Sequence, residues 1–180
     1  MRLKTSPRKK SIITKPYNKP RDVINTRRRQ RTTDLTFGTW TVQTVLQPGK
    51  VMEIAYGVLK QGIDLVALQE IGWQGHGEIN RKNVTAIYSG PENRTGLYGT
   101  GFIVSRKIKE RILEWEPVND RLCRIRIRGK FGNLTIISAY APTEDKGEEE
   151  KVDFYSKLER ICSRVPKYEM SIIMGDLIPK

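Results

Sequence analysis

The stretch Ile63-Asp64-Leu65-Val66-Ala67-Leu68-Gln69-Glu70-Ile71 decides the fold class, because it is nearly all apolar up to Leu68 and then turns polar. A short run of that kind reads as a strand buried on both faces, as strands are where helices cover a sheet. Its polar tip, Gln69-Glu70, then emerges at a sheet edge. Just upstream, Val51, Met52, Ala55, Val58 and Leu59 recur at helical spacing behind Pro48-Gly49, and Gly62 ends the pattern. Before that, Leu35 to Val42 reads as a strand. Strand, helix and strand in succession predict a mixed α/β fold.

Working downstream, a glycine-rich loop from Gly72 to Gly77 precedes strands around Val84 to Tyr88, Gly101 to Ser105 and Arg111 to Trp115. Cys123, Ile125 and Ile127 alternate with Arg124, Arg126 and Arg128, the period of a strand with one buried and one solvated face. Leu134 to Tyr140 is a further strand, closed by Ala141-Pro142. A helix is predicted over Glu148 to Val165, with Val152, Tyr155, Leu158, Cys162 and Val165 as its apolar stripe and three acids at its positive end. Met170 to Met174 makes a last apolar strand that runs into Gly175-Asp176.

Glu70 and Asp176 therefore each end a buried strand, at the carboxyl edge where α/β proteins bind ligands. Two carboxylates converging there suit a hard divalent cation. Acids also cap strand ends without any chemical role, so position alone leaves both readings open.

Four segments resemble, in order, the successive motifs of the endonuclease/exonuclease/phosphatase family: Gly38-Thr39-Trp40-Thr41-Val42-Gln43-Thr44, the Ile63 to Ile71 stretch, Ser138-Ala139-Tyr140-Ala141-Pro142-Thr143 and Ile172-Ile173-Met174-Gly175-Asp176. The likeness runs from about Thr36 to the end of the chain. Within the family, Leu68 to Ile79 and Tyr98 to Ile108 are most similar to non-LTR retrotransposon endonuclease domains and to the craniofacial development protein 2-like group. The resemblance implies the N-terminal part of a four-layer αββα sandwich and hydrolysis of DNA phosphodiester bonds by water with Mg2+ or Mn2+. It implies that Glu70 holds the metal, Tyr140 contacts the scissile phosphate and Asp176 positions the attacking water. No small-molecule cofactor is implied.

The departures from the family pattern carry expectations of their own. Thr41 and Ile178 stand where the family usually has Asn, and Ile offers nothing polar. Residues 34–180 read as a truncated domain, lacking the family's C-terminal half with its late Ser-Asp-His motif. The chain's one histidine, His76, lies in the glycine-rich loop and reads as an exposed loop residue. Loss of acid/base help costs about 10² to 10⁴ in rate, so little or no activity is expected. A missing partner layer would also expose an apolar sheet face and favour self-association.

Charge is placed unevenly over the 180 residues, which carry 33 Lys+Arg and 20 Asp+Glu for a net +13. Residues 1–31 hold 12 of the basic residues and one acid, Asp22, a net +11, leaving +2 for all the rest. Residues 1–33 therefore read as a disordered basic tail that cannot bury enough surface to offset its ordering entropy. Within it Arg27, Arg28, Arg29 and Arg31 form a phosphate-binding or nuclear-localisation patch. This supports the alternative of a non-catalytic nucleic-acid-binding protein, nuclear or otherwise cytoplasmic. Two cysteines exclude a disulfide scaffold, one histidine excludes a multi-histidine zinc site, and no apolar run has the length of a membrane span.

Overall fold

The computed structural model describes residues 34–43, 49–93 and 97–177, all within the compact unit Asp34–Lys180. In chain order its elements are β1 (Phe37–Thr41), α1 (Lys50–Lys60), β2 (Leu65–Gln69), β3 (His76–Asn80), β4 (Val84–Ser89), β5 (Thr100–Ser105) and α2 (Arg106–Lys109). Then follow β6 (Ile112–Pro117), β7 (Leu122–Ile127), β8 (Leu134–Tyr140), α3 (Glu148–Ser163) and β9 (Met170–Asp176). The basic tail with Arg27, Arg28, Arg29 and Arg31 lies outside the described residues, as do Pro48 and Ile178.

The strands form two mixed sheets of order β1-β2-β5-β4-β3 and β6-β7-β8-β9. The continuous apolar character of β2 has a direct cause. Val66 and Leu68 face α1, packing with Val51, Ile54, Ala55 and Val58, while Leu65 and Ala67 face the other sheet. Every residue of β2 is buried. Between the sheets, Leu65, Phe102 and Val104 meet Ile125, Ile127 and Ile136. On the outer face of the second sheet, Leu122, Ile137 and Ala139 pack against Phe154, Leu158 and Ile161 of α3. Helix, sheet, sheet and helix thus make four layers around three apolar interfaces.

The structure corrects several expectations. Among the described residues the inner faces of the sheets cover each other, in place of the expected open apolar face. Along the outermost strands, large apolar exposure among the described residues falls instead at Trp40 of β1, at Leu113 of β6 and at Met170 and Ile173 of β9. In α3 the buried stripe is Phe154, Leu158 and Ile161, whereas Val152 and Tyr155 are exposed. At 100° per residue, Val152 sits about 160° around the helix from Phe154, on the solvent side. Val165 lies beyond the end of the helix. His76 and Gly77, expected in a loop, open β3, because the register His76↔Ser89 through Asn80↔Thr85 gives their backbone groups partners on β4.

The arginine face of β7 is not simply solvated. It shares the side of the sheet that carries α3, and Arg124 lies 3.0 Å from both Glu114 and Glu116 with its side chain only 11% exposed. Arg126 pairs with Glu169, whose carboxyl also accepts from Asn133 at 2.9 Å. Arg126 first, and Asn133 second, hold the Glu169 carboxyl below the usual range. Two of the three stripe arginines are thus engaged by carboxylates, and Arg128 alone of the three is exposed. Among the described residues no helix is long and apolar enough to cross a membrane.

Candidate active site at the joined sheet edges

Four strand ends meet at one end of the sandwich. β1 and β2 run parallel and in register, which sets Thr41 beside Gln69, the residue before Glu70. In the other sheet β8 and β9 also run parallel and set Tyr140 beside Asp176. Parallel pairs end together, so each sheet presents its polar tips at its carboxyl edge. A buried amide ties the two edges to each other. Gln69 donates to Ser138 Oγ at 3.1 Å and accepts from Thr39 Oγ1 at 3.1 Å, and Ser138 Oγ donates to the Leu68 carbonyl at 3.0 Å. Such a group stays buried only when its polar atoms are paired.

Glu70 turns away from the strand in the left-handed region, at φ 58°. That conformation costs a non-glycine residue on the order of 1–2 kcal/mol and is concentrated at functional sites. Two backbone bonds hold it: Ile71 N donates to Gly99 O at 3.1 Å and Gly72 N to Tyr98 O at 2.8 Å. The loop thus anchored carries Tyr98, itself at φ 53°.

The structure brings Glu70, Tyr140 and Asp176 together. The Tyr140 hydroxyl donates to the Glu70 carboxylate. Burial, then that bond and the Glu70 charge, push the Tyr140 phenol up to about 12, with Asp176 adding to the shift and Arg121 opposing it. At neutral pH Tyr140 is therefore an uncharged hydrogen-bond donor. The end of β9 is closed onto β8 by Ala141 N donating to the Asp176 carbonyl at 2.8 Å.

The available donors are hard oxygens. Among the described residues no three His, Cys, Asp or Glu side chains cluster as a ready metal cage. A cation here would take one or two carboxylates and keep its remaining positions for water and phosphate oxygens, which fits Mg2+ or Mn2+ and does not fit a structural zinc. Thr41 stands half-buried at the tip of β1. His76 lies elsewhere, beside a depression of about 350 Å³ that it lines with Ser89, Asn119 and Asp120.

Three side chains at this edge escape sequence reasoning: Gln69 as the tie between sheets, Tyr98, and Arg121. Gln69 had a signal, being the one polar residue inside a fully buried strand. Arg121 had a weaker one, a charge directly ahead of the apolar start of β7.

No family model matches the chain. Craniofacial development protein 2 of Bos taurus is 32% identical over 139 residues, 77% of this chain and 23% of that protein. The chain thus spans about a quarter of the curated relative's length. Among solved structures it is similar to an AP endonuclease from Archaeoglobus fulgidus, with TM-score 0.57 and 17% identity over 79% of this chain and 57% of that one. It is also similar to the endonuclease domain of TRAS1, a telomere-specific non-LTR retrotransposon, with TM-score 0.51, 18% identity and coverage of 77% and 56%. D. rerio TDP2 in complex with a single-strand DNA product gives TM-score 0.51 and 15% identity, over 79% of this chain and 60% of that one. With its two mixed sheets and flanking helices, and with its likeness to the solved AP endonuclease, retrotransposon endonuclease and TDP2 structures, the chain carries a domain of the endonuclease/exonuclease/phosphatase fold.

Proposed function

We propose that this domain binds DNA and hydrolyses its phosphodiester bonds with a divalent cation, Mg2+ or Mn2+, in the manner of non-LTR retrotransposon endonucleases. The observation that carries the reading is the convergence of Glu70, Tyr140 and Asp176 on one edge, reached from both sheets. The likeness to an AP endonuclease, to a retrotransposon endonuclease domain and to a protein solved with a DNA product supports it. Glu70 would hold the cation, which when bound neutralises charge developing on the phosphate oxygens. Tyr140, neutral and donating, is suited to a non-bridging phosphate oxygen. Asp176 is suited to accept from a water and aim it at phosphorus.

Activity is proposed to be weak. The one imidazole among these 180 residues, His76, stands on β3, three strands from β2, and so gives Glu70, Tyr140 and Asp176 no acid/base help of the kind worth about 10² to 10⁴ in rate. Supercoiled plasmid incubated with the purified chain and Mg2+ is expected to be nicked slowly. Glu70→Ala and Asp176→Ala are each expected to abolish the nicking, and equal nicking by wild type and both variants would refute the assignment.

A second reading is favoured by the charge distribution, since residues 1–31 hold +11 of the net +13. There the chain binds nucleic acid through its basic segment without catalysis, and the same segment directs it to the nucleus. Deleting residues 1–31 is expected to remove both salt-sensitive DNA binding and nuclear accumulation of a fused reporter. Affinity and location untouched by the deletion would dismiss this reading. Self-association belongs to the proposal as well, supported by β9. That strand ends its sheet, exposes Met170 and Ile173 and has no charged residue before Asp176. A sedimentation coefficient that rises with concentration checks it.

A further inference from the structure

Arg121 precedes β7, and its guanidinium is enclosed at the candidate site, with its side chain only 6% exposed. A guanidinium cannot shed its proton in a protein, so every such burial needs a full set of partners. Those partners are specific. The guanidinium carbon stands 4.0 Å from the centroid of the Tyr98 ring and 5.3 Å from that of Tyr140. Nη1 reaches the carbonyls of Tyr140 and Ala141 at 3.4 and 3.5 Å, and Nη2 donates to Glu150 of α3 at 2.7 Å. The backbone repeats the link, since Tyr140 N donates to Arg121 O at 2.9 Å. On the far side, Asn119 Oδ1 accepts from Arg121 N at 3.0 Å and Gly99 N donates to Asp120 O at 2.9 Å, which fixes this loop to the one carrying Tyr98.

We infer that Arg121 is a positioning residue for Tyr140: gripped between the two tyrosine rings and the carbonyls that end β8, it fixes where the Tyr140 hydroxyl points on Glu70. Its planar fork suits this task as a lysine ammonium does not, because stacking and carbonyl contacts are made at once. The inference deepens the hydrolase reading and rests on it for its catalytic consequence, while the placement of Tyr140 stands on the contacts alone. The competing role is purely architectural, with Arg121 serving only to anchor α3 through Glu150.

The full chain labelled with 13Cζ-tyrosine separates these roles. Tyr140→Phe identifies one resonance among the seven tyrosines, and Glu70→Gln shows how that signal moves when its acceptor weakens. Arg121→Met is expected to shift the Tyr140 signal; Arg121→Lys, which keeps the charge, shifts it partway and serves if the Met variant does not fold. Glu150→Gln, which removes the ion pair and leaves the stack, is expected to leave the signal in place. A Tyr140 resonance unmoved in a folded Arg121 variant, or moved equally by Glu150→Gln, would overturn the inference. In plasmid nicking, Arg121→Lys is expected to lower kcat on the order of 10- to 100-fold with KM little changed, the mark of a misplaced group. If the wild-type chain does not nick, the hydrolase reading fails and the resonance comparison still decides the role of Arg121.

Discussion

Phe102→Ala is expected to lower the stability of the domain by about 3–5 kcal/mol, a large part of the roughly 5–15 kcal/mol that holds a domain folded. Phe102 is fully buried in β5, opposite Ala67 of β2 and Ile87 of β4. Its side chain enters the layer between the sheets, where Ile125 and Ile136 come from the other side. Truncation there leaves a cavity that cannot collapse, because hydrogen-bonded ladders on both flanks of β5 fix the backbone that would have to move. The consequence reaches function, since the packing of the two sheets is what brings Glu70 within reach of Tyr140. Denaturant titration checks the expectation. Phe102→Leu should cost well under half as much, and Phe131→Ala, at a position 95% exposed, should stay within about 0.5 kcal/mol of wild type. A Phe102→Ala midpoint within error of the wild type would show that the sheets do not depend on this interface.

What could be read from the sequence was what local chemistry determines. β2 announced itself because burial on two faces removes alternation, and β7 because burial on one face imposes it. β3 did not, since His76, Gly77 and Asn80 have little strand preference and are extended only by pairing with β4. The expected stripe of α3 holds at Leu158 and Cys162 and fails at Val152 and Tyr155, because large side chains stand on both sides of its first turns; which set faces inward depends on where Leu122 and Ile137 lie, and the helix does not encode that. The site follows the same division. Glu70, Tyr140 and Asp176 are strand ends, legible from runs that stop. Gln69 and Arg121 act through partners as far as 69 and 29 residues away, contacts that exist only once both sheets are assembled.

Gly175→Ala is expected to damage stability and site together. Gly175 sits opposite Ala139 in the β8–β9 ladder at φ 142°, a conformation that side chains rarely adopt. A β-carbon placed there would stand 1.9 Å from the Ala139 carbonyl oxygen and 2.9 Å from its carbon. Both are backbone atoms, so no rotamer change relieves the clash. Relief requires either a change of φ, with the strain itself worth about 1–3 kcal/mol, or separation of β9 from β8 at this point. Separation breaks the bond from Ala141 N to the Asp176 carbonyl and carries Asp176, the next residue, away from Tyr140. The expected result is a loss of at least about 2 kcal/mol in a denaturant melt. Nicking is expected to fall on the order of 100-fold for a displacement near 1 Å. Gly57→Ala supplies the contrast: its added carbon meets nothing within 4 Å, and in the helix interior it should stabilise by about 0.5–1 kcal/mol. If Gly175→Ala melted with the wild type and nicked as well, the close approach of β9 to β8 would not be what places Asp176.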